Sequence, residues 1–172
     1  SPLDHERVAA DMATVRFEHA FENGMKLSNT LRWGRTRQDY FITSYTATGG
    51  DATDPLAGHI RWTDIDDLST YTLQRSNFST RDQQNRILTD QLNLRADFAT
   101  GRVDHFVSAG AELTREEQTA WAIATSGSLE PIDLYDPDWA STGGTLSYAH
   151  SGAVAHGRTD TAAAYLFDTL KF

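Results

Sequence analysis

Two groups of aspartates are the densest clusters of chemically active side chains in the sequence. They are Asp64, Asp66 and Asp67 in the first group, and Asp133, Asp136 and Asp138 in the second. Calcium needs several oxygen ligands from one compact loop, and neither group has the regular spacing of a calcium-binding loop. Aspartates in segments that contain proline or glycine more often form local turns. We therefore expect turns at both places, and no metal.

The other candidates for catalysis or metal binding are few. His150 and His156 flank a glycine-containing segment, but two histidines without a third ligand are a weak metal signal, so we expect solvated loop side chains. Ser126 lies in Ser-Gly-Ser without the strand-turn-helix setting of a hydrolase nucleophile. The chain has no cysteine, which excludes thiolate sites. The sequence predicts that the protein is not an enzyme.

Charge and hydropathy argue against a nucleic-acid-binding protein and against membrane-spanning helices. The formal charge is -9, without a cluster of Lys and Arg, so we expect no nucleic acid among the partners. No run approaches the roughly 20 apolar residues of a membrane helix. The segment from Ser1 to His5 also lacks the character of a signal peptide. We expect that the start of a longer precursor is missing.

Alternation of apolar and polar residues predicts strands in two hairpins. The four strands are Ala13–Phe21, Leu27–Arg37, Leu88–Phe98 and Val103–Leu113. Asn23-Gly24 and Thr100-Gly101 supply the tight turns between them. A last run from Thr159 to Phe172 gives a fifth strand, and each hairpin strand reaches the roughly 9–11 residues that cross a membrane in a barrel.

Long loops follow both hairpins, one from Thr48 to Asp67 and one after Trp121. Short turns at one end and long loops at the other are typical of outer-membrane barrels. The fold class predicted is all-β: an incomplete antiparallel up-and-down transmembrane β-barrel of about five strands, with short periplasmic turns and long extracellular loops. Asp90 and Asn29 lie in phase with apolar neighbours, which would turn them toward lipid unless a bulge resets the register.

Three segments of the sequence carry a family resemblance. They are Ala13 to Tyr40, Arg81 to Trp121, and Thr161 to Phe172, with a weaker match from Asp133 to Asp138. On these segments the chain resembles the barrel of TonB-dependent outer-membrane siderophore receptors, in particular the catecholate type. The resemblance implies a barrel of about 22 strands around an N-terminal plug. Residues 1–172 would then be an internal part of the barrel domain, without the plug.

The resemblance also implies the function and the partners. The function is ferric-siderophore uptake through the bacterial outer membrane, energised by a TonB-type coupling protein that would act through the missing N-terminal region. The expected partners are the ferric siderophore, the coupling protein and outer-membrane lipid. No cofactor is expected, because iron would enter only as part of the bound siderophore.

Cations and aromatic rings at the outer ends of the hairpins are the candidate ligand-binding residues, since a ferric catecholate is a flat, aromatic anion. They are Arg35, Arg37, Tyr40, Arg75, Arg81, Arg115 and Trp121. The alternative is that these arginines line a polar lumen and pair with acids. Those acids would be Asp39, Asp82, Glu112 or Glu116.

Two other readings of the whole chain stay open. A soluble β-sandwich that binds a ligand or carbohydrate would bury the same apolar faces against each other. An outer-membrane lipase would need a Ser-His-acid arrangement near the rim, and His105 is the nearest candidate for its histidine.

Overall fold

The chain forms β-strands over most of its length. A computed structural model describes residues 1–44 and 57–172. The only helical element within these ranges is a 3-10 turn at Leu68–Thr70. Among the same residues, no helix has the length and apolar character needed to span a membrane.

The strands fall into five long and three short ones. The long strands are β1 (His5–Ala20), β2 (Lys26–Ser44), β5 (Asn77–Thr100), β6 (Val103–Ser126) and β8 (Ser147–Lys171). The short strands are β3 (Ile60–Arg61), β4 (Thr72–Arg75) and β7 (Leu129–Asp133). The long ones form a sheet in the order β1-β2-β5-β6-β8.

Tight turns make the two strands of each hairpin, β1 with β2 and β5 with β6, antiparallel. The first turn closes with the amide of Phe21 donating to the carbonyl of Met25 at 2.8 Å. Gly24 and Gly101 have φ values of 85° and 67°, a conformation that glycine adopts without steric cost. Asn23-Gly24 and Thr100-Gly101 therefore turn where the sequence predicts, and the antiparallel all-β fold is confirmed.

The strand boundaries differ from the prediction at several ends, since β1 begins at His5, β5 begins at Asn77 and β6 continues to Ser126. All five long strands exist, but β8 begins at Ser147 and not near Thr159. The assignment of residues 147–158 to a loop is wrong, because Gly152 lies within the strand with a φ of 87°. A glycine in this conformation inside a strand is typical of a bulge, which interrupts the local pattern without ending the strand.

The three short strands form a second sheet in the order β3-β4-β7. Leu73 pairs with Ile60 on one side and Ile132 on the other. Leu73, Ile132 and Leu129 are all buried, so this sheet has a small apolar core of its own. Ile60, Leu129 and Ile132 lie in the two predicted loops, and that assignment is wrong, whereas Leu73 lies outside both. The part of the first predicted loop from 48 to 56 lies outside the described residues.

Contacts divide the chain into two units. The loop unit comprises Ser1–Val8, Gln38–Gln83 and Ala120–Ala155, and the turn unit comprises Ala9–Arg37, Gln84–Thr119 and His156–Phe172. The buried apolar side chains of the described residues, Phe41 among them, all belong to the loop unit. The core of the described structure therefore lies among the loops.

The turn unit leaves its apolar side chains exposed. The exposed fractions are 66% for Val15, 58% for Phe17, 59% for Leu113 and 71% for Leu166. A β-sandwich would cover such side chains with a second sheet. An uncovered apolar face is instead what a strand turns toward lipid in a barrel.

Polar side chains on this apolar face are paired. Asp90 borders a recess together with Leu31, Leu88 and Leu113, so it does share the apolar face. The side-chain amide of Asn29 donates to the Asp90 carboxylate at 2.6 Å. The two residues that the sequence analysis found out of place thus satisfy each other across β2 and β5.

Candidate functional site

One cation and one aromatic ring of the predicted set meet in the loop unit. Tyr40 on β2 lies beside Arg81 on β5, and the Arg81 guanidinium carbon stands 6.0 Å from the centre of the Tyr40 ring. Arg81 also donates to the Gln83 side chain at 3.0 Å. Nearby on the same unit, Gln38 donates to Glu6 at 3.2 Å. This cluster combines a positive charge with an aromatic face and neutral amides, and it also contains one acid, Glu6.

The residue next to Tyr40 anchors β2 from the opposite side of the sheet. Successive side chains of a strand point to opposite faces, so Phe41 is directed away from Tyr40. Its ring is only 1% exposed and lies 5.3 Å from the ring of Phe78 and 4.5 Å from that of Tyr148. Three strands are therefore held together by aromatic packing behind the Tyr40–Arg81 pair.

Arg75, also in the predicted set, is a buried residue of the small sheet. Its side chain donates to the carbonyl of Glu130 at 2.7 Å and to that of Ser141 at 2.9 Å. It is 1% exposed, and its Nη2 atom has no partner among the described residues. Carbonyl groups of the second loop thus hold the guanidinium, which ties β4 to that loop.

Two other predicted arginines form exposed ion pairs in the turn unit. Arg35 reaches Asp11 at 2.6 Å, and Arg115 reaches Asp160 at 2.7 Å. These acids differ from those that the sequence analysis named as alternatives. Arg35 lies in phase with Leu31 and Trp33, as Arg115 does with Leu113, so both arginines belong to the apolar face.

Arg37 and Trp121 complete the predicted set, and both make contacts within the protein. Of the seven predicted residues, the structure brings together Tyr40 and Arg81, while Arg75, Arg35 and Arg115 each serve a separate contact. Whether these residues bind a ligand stays a prediction.

An aromatic cluster of the loop unit was missed by the sequence analysis. The rings of Trp62 and Tyr71 are stacked at 5.4 Å, and Tyr135 approaches Tyr71 edge-on at 5.9 Å. The Tyr71 hydroxyl donates to the carbonyl of Ile65 at 3.0 Å, which fixes the middle ring. Tyr135 remains 61% exposed. The signal was present as three aromatic residues in segments rich in turn formers.

The aspartate groups form turns, as predicted. The Asp133 carboxylate accepts from the amides of Tyr135 and Asp136, both at 2.7 Å. Asp67 caps the 3-10 turn, and hydrogen bonds from the side chain and backbone of Ser69 lower the pKa of this exposed carboxyl. In the described ranges, no three His, Asp or Glu side chains are grouped so that they could hold a metal ion.

The histidines lie in strands and have cross-strand neighbours. His150 is 3.1 Å from the Asp82 carboxylate, and His156 is 3.1 Å from the Thr119 hydroxyl. The prediction that both are loop side chains is wrong, because β8 begins before His150. His150 instead links β8 to β5, and His156 links β8 to β6.

His105 has the contacts of a hydroxyl-imidazole-carboxylate chain. Its Nε2 lies 2.6 Å from the Thr100 hydroxyl and its Nδ1 lies 2.7 Å from Asp168. The Phe98 ring stacks on the imidazole at 4.8 Å. The chain joins β5, β6 and β8 close to a tight turn, so its evident role is to tie the three strands together.

Comparison with known proteins identifies relatives among receptors. No family model matches the chain. It is 38% identical over 168 residues to the catecholate siderophore receptor Fiu of Escherichia coli strain K12, covering 98% of the chain and 20% of Fiu. It is 24% identical over 114 residues to the probable TonB-dependent siderophore receptor PiuA of Acinetobacter baumannii, covering 66% of the chain and 13% of PiuA.

A solved structure shares the fold. The siderophore receptor PiuA from Acinetobacter baumannii superposes with a TM-score of 0.61 and 15% identity, over 98% of this chain and 24% of the receptor chain. The chain thus spans about a fifth of the length of Fiu. The predicted resemblance to TonB-dependent siderophore receptors is confirmed, and the relatives are named as receptors, which agrees with a protein that is not an enzyme.

Proposed function

We propose that this chain, a homologue of part of the catecholate siderophore receptors, works in the outer membrane as part of a barrel that takes up a ferric siderophore. The observation that carries the proposal is the 38% identity to Fiu over 98% of the chain. Residues 1–172 would belong to the barrel domain. Uptake would be energised by a TonB-type coupling protein through a region outside these residues, and iron would be bound by the siderophore, without a protein cofactor.

The geometry supports binding of an aromatic anion in the loop unit. Arg81 supplies a charge that does not depend on pH, and its guanidinium carbon lies 6.0 Å from the centre of the Tyr40 ring. The cluster of Trp62, Tyr71 and Tyr135 adds stacking faces within the same unit. A ferric catecholate needs both kinds of group, because its rings are flat and its overall charge is negative.

The predicted arginines differ in whether their positive charge is already paired with a carboxylate. Arg35 and Arg115 each have a carboxylate partner within 2.7 Å, so an anionic ligand would have to displace an acid. Arg81 contacts a neutral ring and a neutral amide, so its charge is not compensated by these partners. We therefore assign ligand binding first to Tyr40 and Arg81.

The test uses the full-length receptor that contains these residues, purified in detergent. It is titrated with the ferric complex of 2,3-dihydroxybenzoate while tryptophan fluorescence is recorded. We expect Arg81→Gln to weaken binding by about tenfold or more, the range expected for loss of a hydrogen bond to a charged group. Tyr40→Ala should weaken it by a smaller factor. Arg102→Gln is the matched control, because it makes the same charge change at an exposed turn residue, and it should bind within about twofold of the wild type.

Two results would contradict the proposal. Wild-type binding by Arg81→Gln would remove this residue from the site. Equal weakening by Arg102→Gln and Arg81→Gln would mean that only the total charge matters. Iron-uptake assays on cells that carry the same variants connect binding with transport, and a receptor that binds no ferric catecholate would refute the function itself.

A further inference from the structure

Each member of the Tyr40–Arg81 pair is followed by a buried residue on the opposite side of the sheet. Phe41 follows Tyr40 on β2, and Asp82 follows Arg81 on β5. Because side chains alternate along a strand, Phe41 and Asp82 are both directed away from the pair. Both are buried, and Asp82 is only 5% exposed although it is a carboxylate. The side of the two strands behind the pair is therefore covered.

The first residues of β8 supply part of that cover. The ring of Tyr148 lies 4.5 Å from the ring of Phe41. The Nε2 atom of His150 lies 3.1 Å from the Asp82 carboxylate. Positions 148 and 150 are two residues apart, so their side chains point to the same face of β8. One end of β8 therefore contacts both strands that carry the pair.

Phe78 joins these contacts into one cluster. Its ring lies 5.3 Å from that of Phe41, across β2 and β5. Phe78 and Asp82 are four residues apart on β5 and share a face of that strand. We call Phe41, Phe78, Asp82, Tyr148 and His150 the back cluster, and all five belong to the loop unit. Three rings and one imidazole-carboxylate contact thus hold three strands together behind Tyr40 and Arg81.

A bulge directs this end of β8. Gly152 has a φ of 87°, and the Ser151 hydroxyl beside it donates to the carbonyl of Ala122 on β6 at 3.3 Å. A bulge bends a strand and changes where its side chains point. The bulge therefore lies where β8 must turn Tyr148 and His150 toward β2 and β5.

The buried acid of the back cluster favours one arrangement of the strands over others. A carboxylate is costly to bury unless polar groups contact it. Asp82 makes a further contact within the protein besides the one with His150, whose side chain is 58% exposed. An apolar side chain would fill the same place without that cost, so the contact does more for the alignment of β5 and β8 than for stability.

We propose that the back cluster positions Tyr40 and Arg81 for the ligand, with Tyr148 and His150 as the positioning residues. The inference rests on the proposed function. The Arg81 guanidinium carbon lies 6.0 Å from the centre of the Tyr40 ring, about the limit of cation-π attraction. A small shift of β2 against β5 would therefore separate the two groups. Tyr148 restrains β2 and His150 restrains β5, both from the side opposite to the pair.

The experiment titrates the full-length receptor, in detergent, with the ferric complex of 2,3-dihydroxybenzoate. We expect His150→Leu and Tyr148→Leu each to weaken binding about three- to tenfold, within the range for residues coupled through shared contacts. His156→Leu is the matched control. This second histidine of β8 also has a cross-strand contact, with Thr119 at 3.1 Å, but it lies outside the loop unit. Its variant should bind within about twofold of the wild type.

Conservative variants separate positioning from a loss of folding. His150→Gln keeps an N–H donor for Asp82, and Tyr148→Phe keeps the ring, so both should bind within about twofold of the wild type. In an Arg81→Gln background, His150→Leu should change the affinity by less than about twofold, because the group that it positions is absent. Urea unfolding of every variant measures any loss of stability separately from the affinity.

The outcomes distinguish the inference from the proposed function. If Arg81→Gln weakens binding while His150→Leu and Tyr148→Leu bind like the wild type, the positioning role is overturned and the proposed function stands. Equal weakening by His150→Leu with and without Arg81 would also overturn that role, because the histidine would then act independently of the pair. Tyr148→Leu in a Tyr40→Ala background gives the same comparison if His150→Leu does not fold. A wild-type receptor that binds no ferric complex would overturn both.

Discussion

Gly110 allows a test of how the polar face of the turn unit is packed. A Cβ built at this position would lie 2.6 Å from two carbons of the Tyr165 ring and 2.7 Å from its hydroxyl oxygen. These distances are far shorter than van der Waals contact. The ring is also held in place, because its hydroxyl bonds to Asn93. Gly110→Ala must therefore move the ring and break or bend that hydrogen bond.

The expected magnitude follows from three contributions. Inserting a methyl group into a packed site costs about 1–3 kcal/mol. Loss of the Tyr165–Asn93 hydrogen bond costs about 1 kcal/mol more. Replacement of a glycine within a strand returns roughly 0.5–1 kcal/mol, because alanine loses less backbone entropy on folding. We expect Gly110→Ala to lower the free energy of unfolding by about 1–3 kcal/mol.

The sign should reverse when the ring is absent. In a Tyr165→Ala background the clash does not exist, so Gly110→Ala should stabilise the protein by about 0.5–1 kcal/mol. Gly157 on β8 is the matched control, because a Cβ there meets nothing within 4 Å. Gly157→Ala should be neutral or slightly stabilising in both backgrounds.

The assay is urea unfolding of the detergent-solubilised protein, followed by circular dichroism and by heat-dependent mobility on gels. The reasoning is refuted if Gly110→Ala is neutral in the wild-type background. It is refuted equally if the loss is the same in the presence and absence of Tyr165, because the two changes would then be additive and the contact would not be the cause.

Three further changes test the polar contacts of each unit. Asn29→Leu should lower the free energy of unfolding by about 1–3 kcal/mol, since it leaves the Asp90 carboxylate without its donor, while the double change with Asp90→Leu should restore stability in urea. His105→Ala breaks the bonds that join three strands and should lower the urea midpoint. The pKa of Asp67 is lowered from its ordinary value of 3.8, so the carboxylate that caps the 3-10 turn is charged at neutral pH. Its contribution to stability is lost as the pH falls through this lowered pKa. Pepsin should then cut the 3-10 turn faster in strong acid, whereas Asp67→Asn or Ser69→Ala should show little change with pH.

The long strands were predictable because their signal is local. Alternation over Ala13–Phe21 or Val103–Leu113 is visible in the sequence, and the glycines at positions 24 and 101 mark where each hairpin turns. β8 was recognised only in part, since Gly152 resembles a loop residue when its strand partners are unknown. The short strands β3, β4 and β7 depend on pairing between segments far apart in the chain, so no local pattern announces them.

The candidate site was harder to predict because residue type does not reveal what a side chain contacts. Arg75 carries the same charge as Arg81, yet it is buried between carbonyl groups of the second loop. That burial depends on β4 pairing with β7, which the sequence does not display. The aromatic cluster around Tyr71 likewise forms only when two distant loops meet.

The alternation of side chains along a strand shows which face of the sheet an arginine belongs to, and this predicts its contacts better than its distance from the strand end does. Arg35 lies an even number of residues from Leu31 and Trp33, and so belongs to the apolar face, whereas Tyr40 lies an odd number away. Under the proposed function the apolar face meets lipid, where an unpaired charge is costly, and Arg35 is bound to Asp11. The polar face is turned away from lipid, and Arg95 on this face has no carboxylate partner among the described residues. Arg81, which also lies on the polar face, contacts a neutral ring and a neutral amide, so an anionic ligand would find a binding partner on this face.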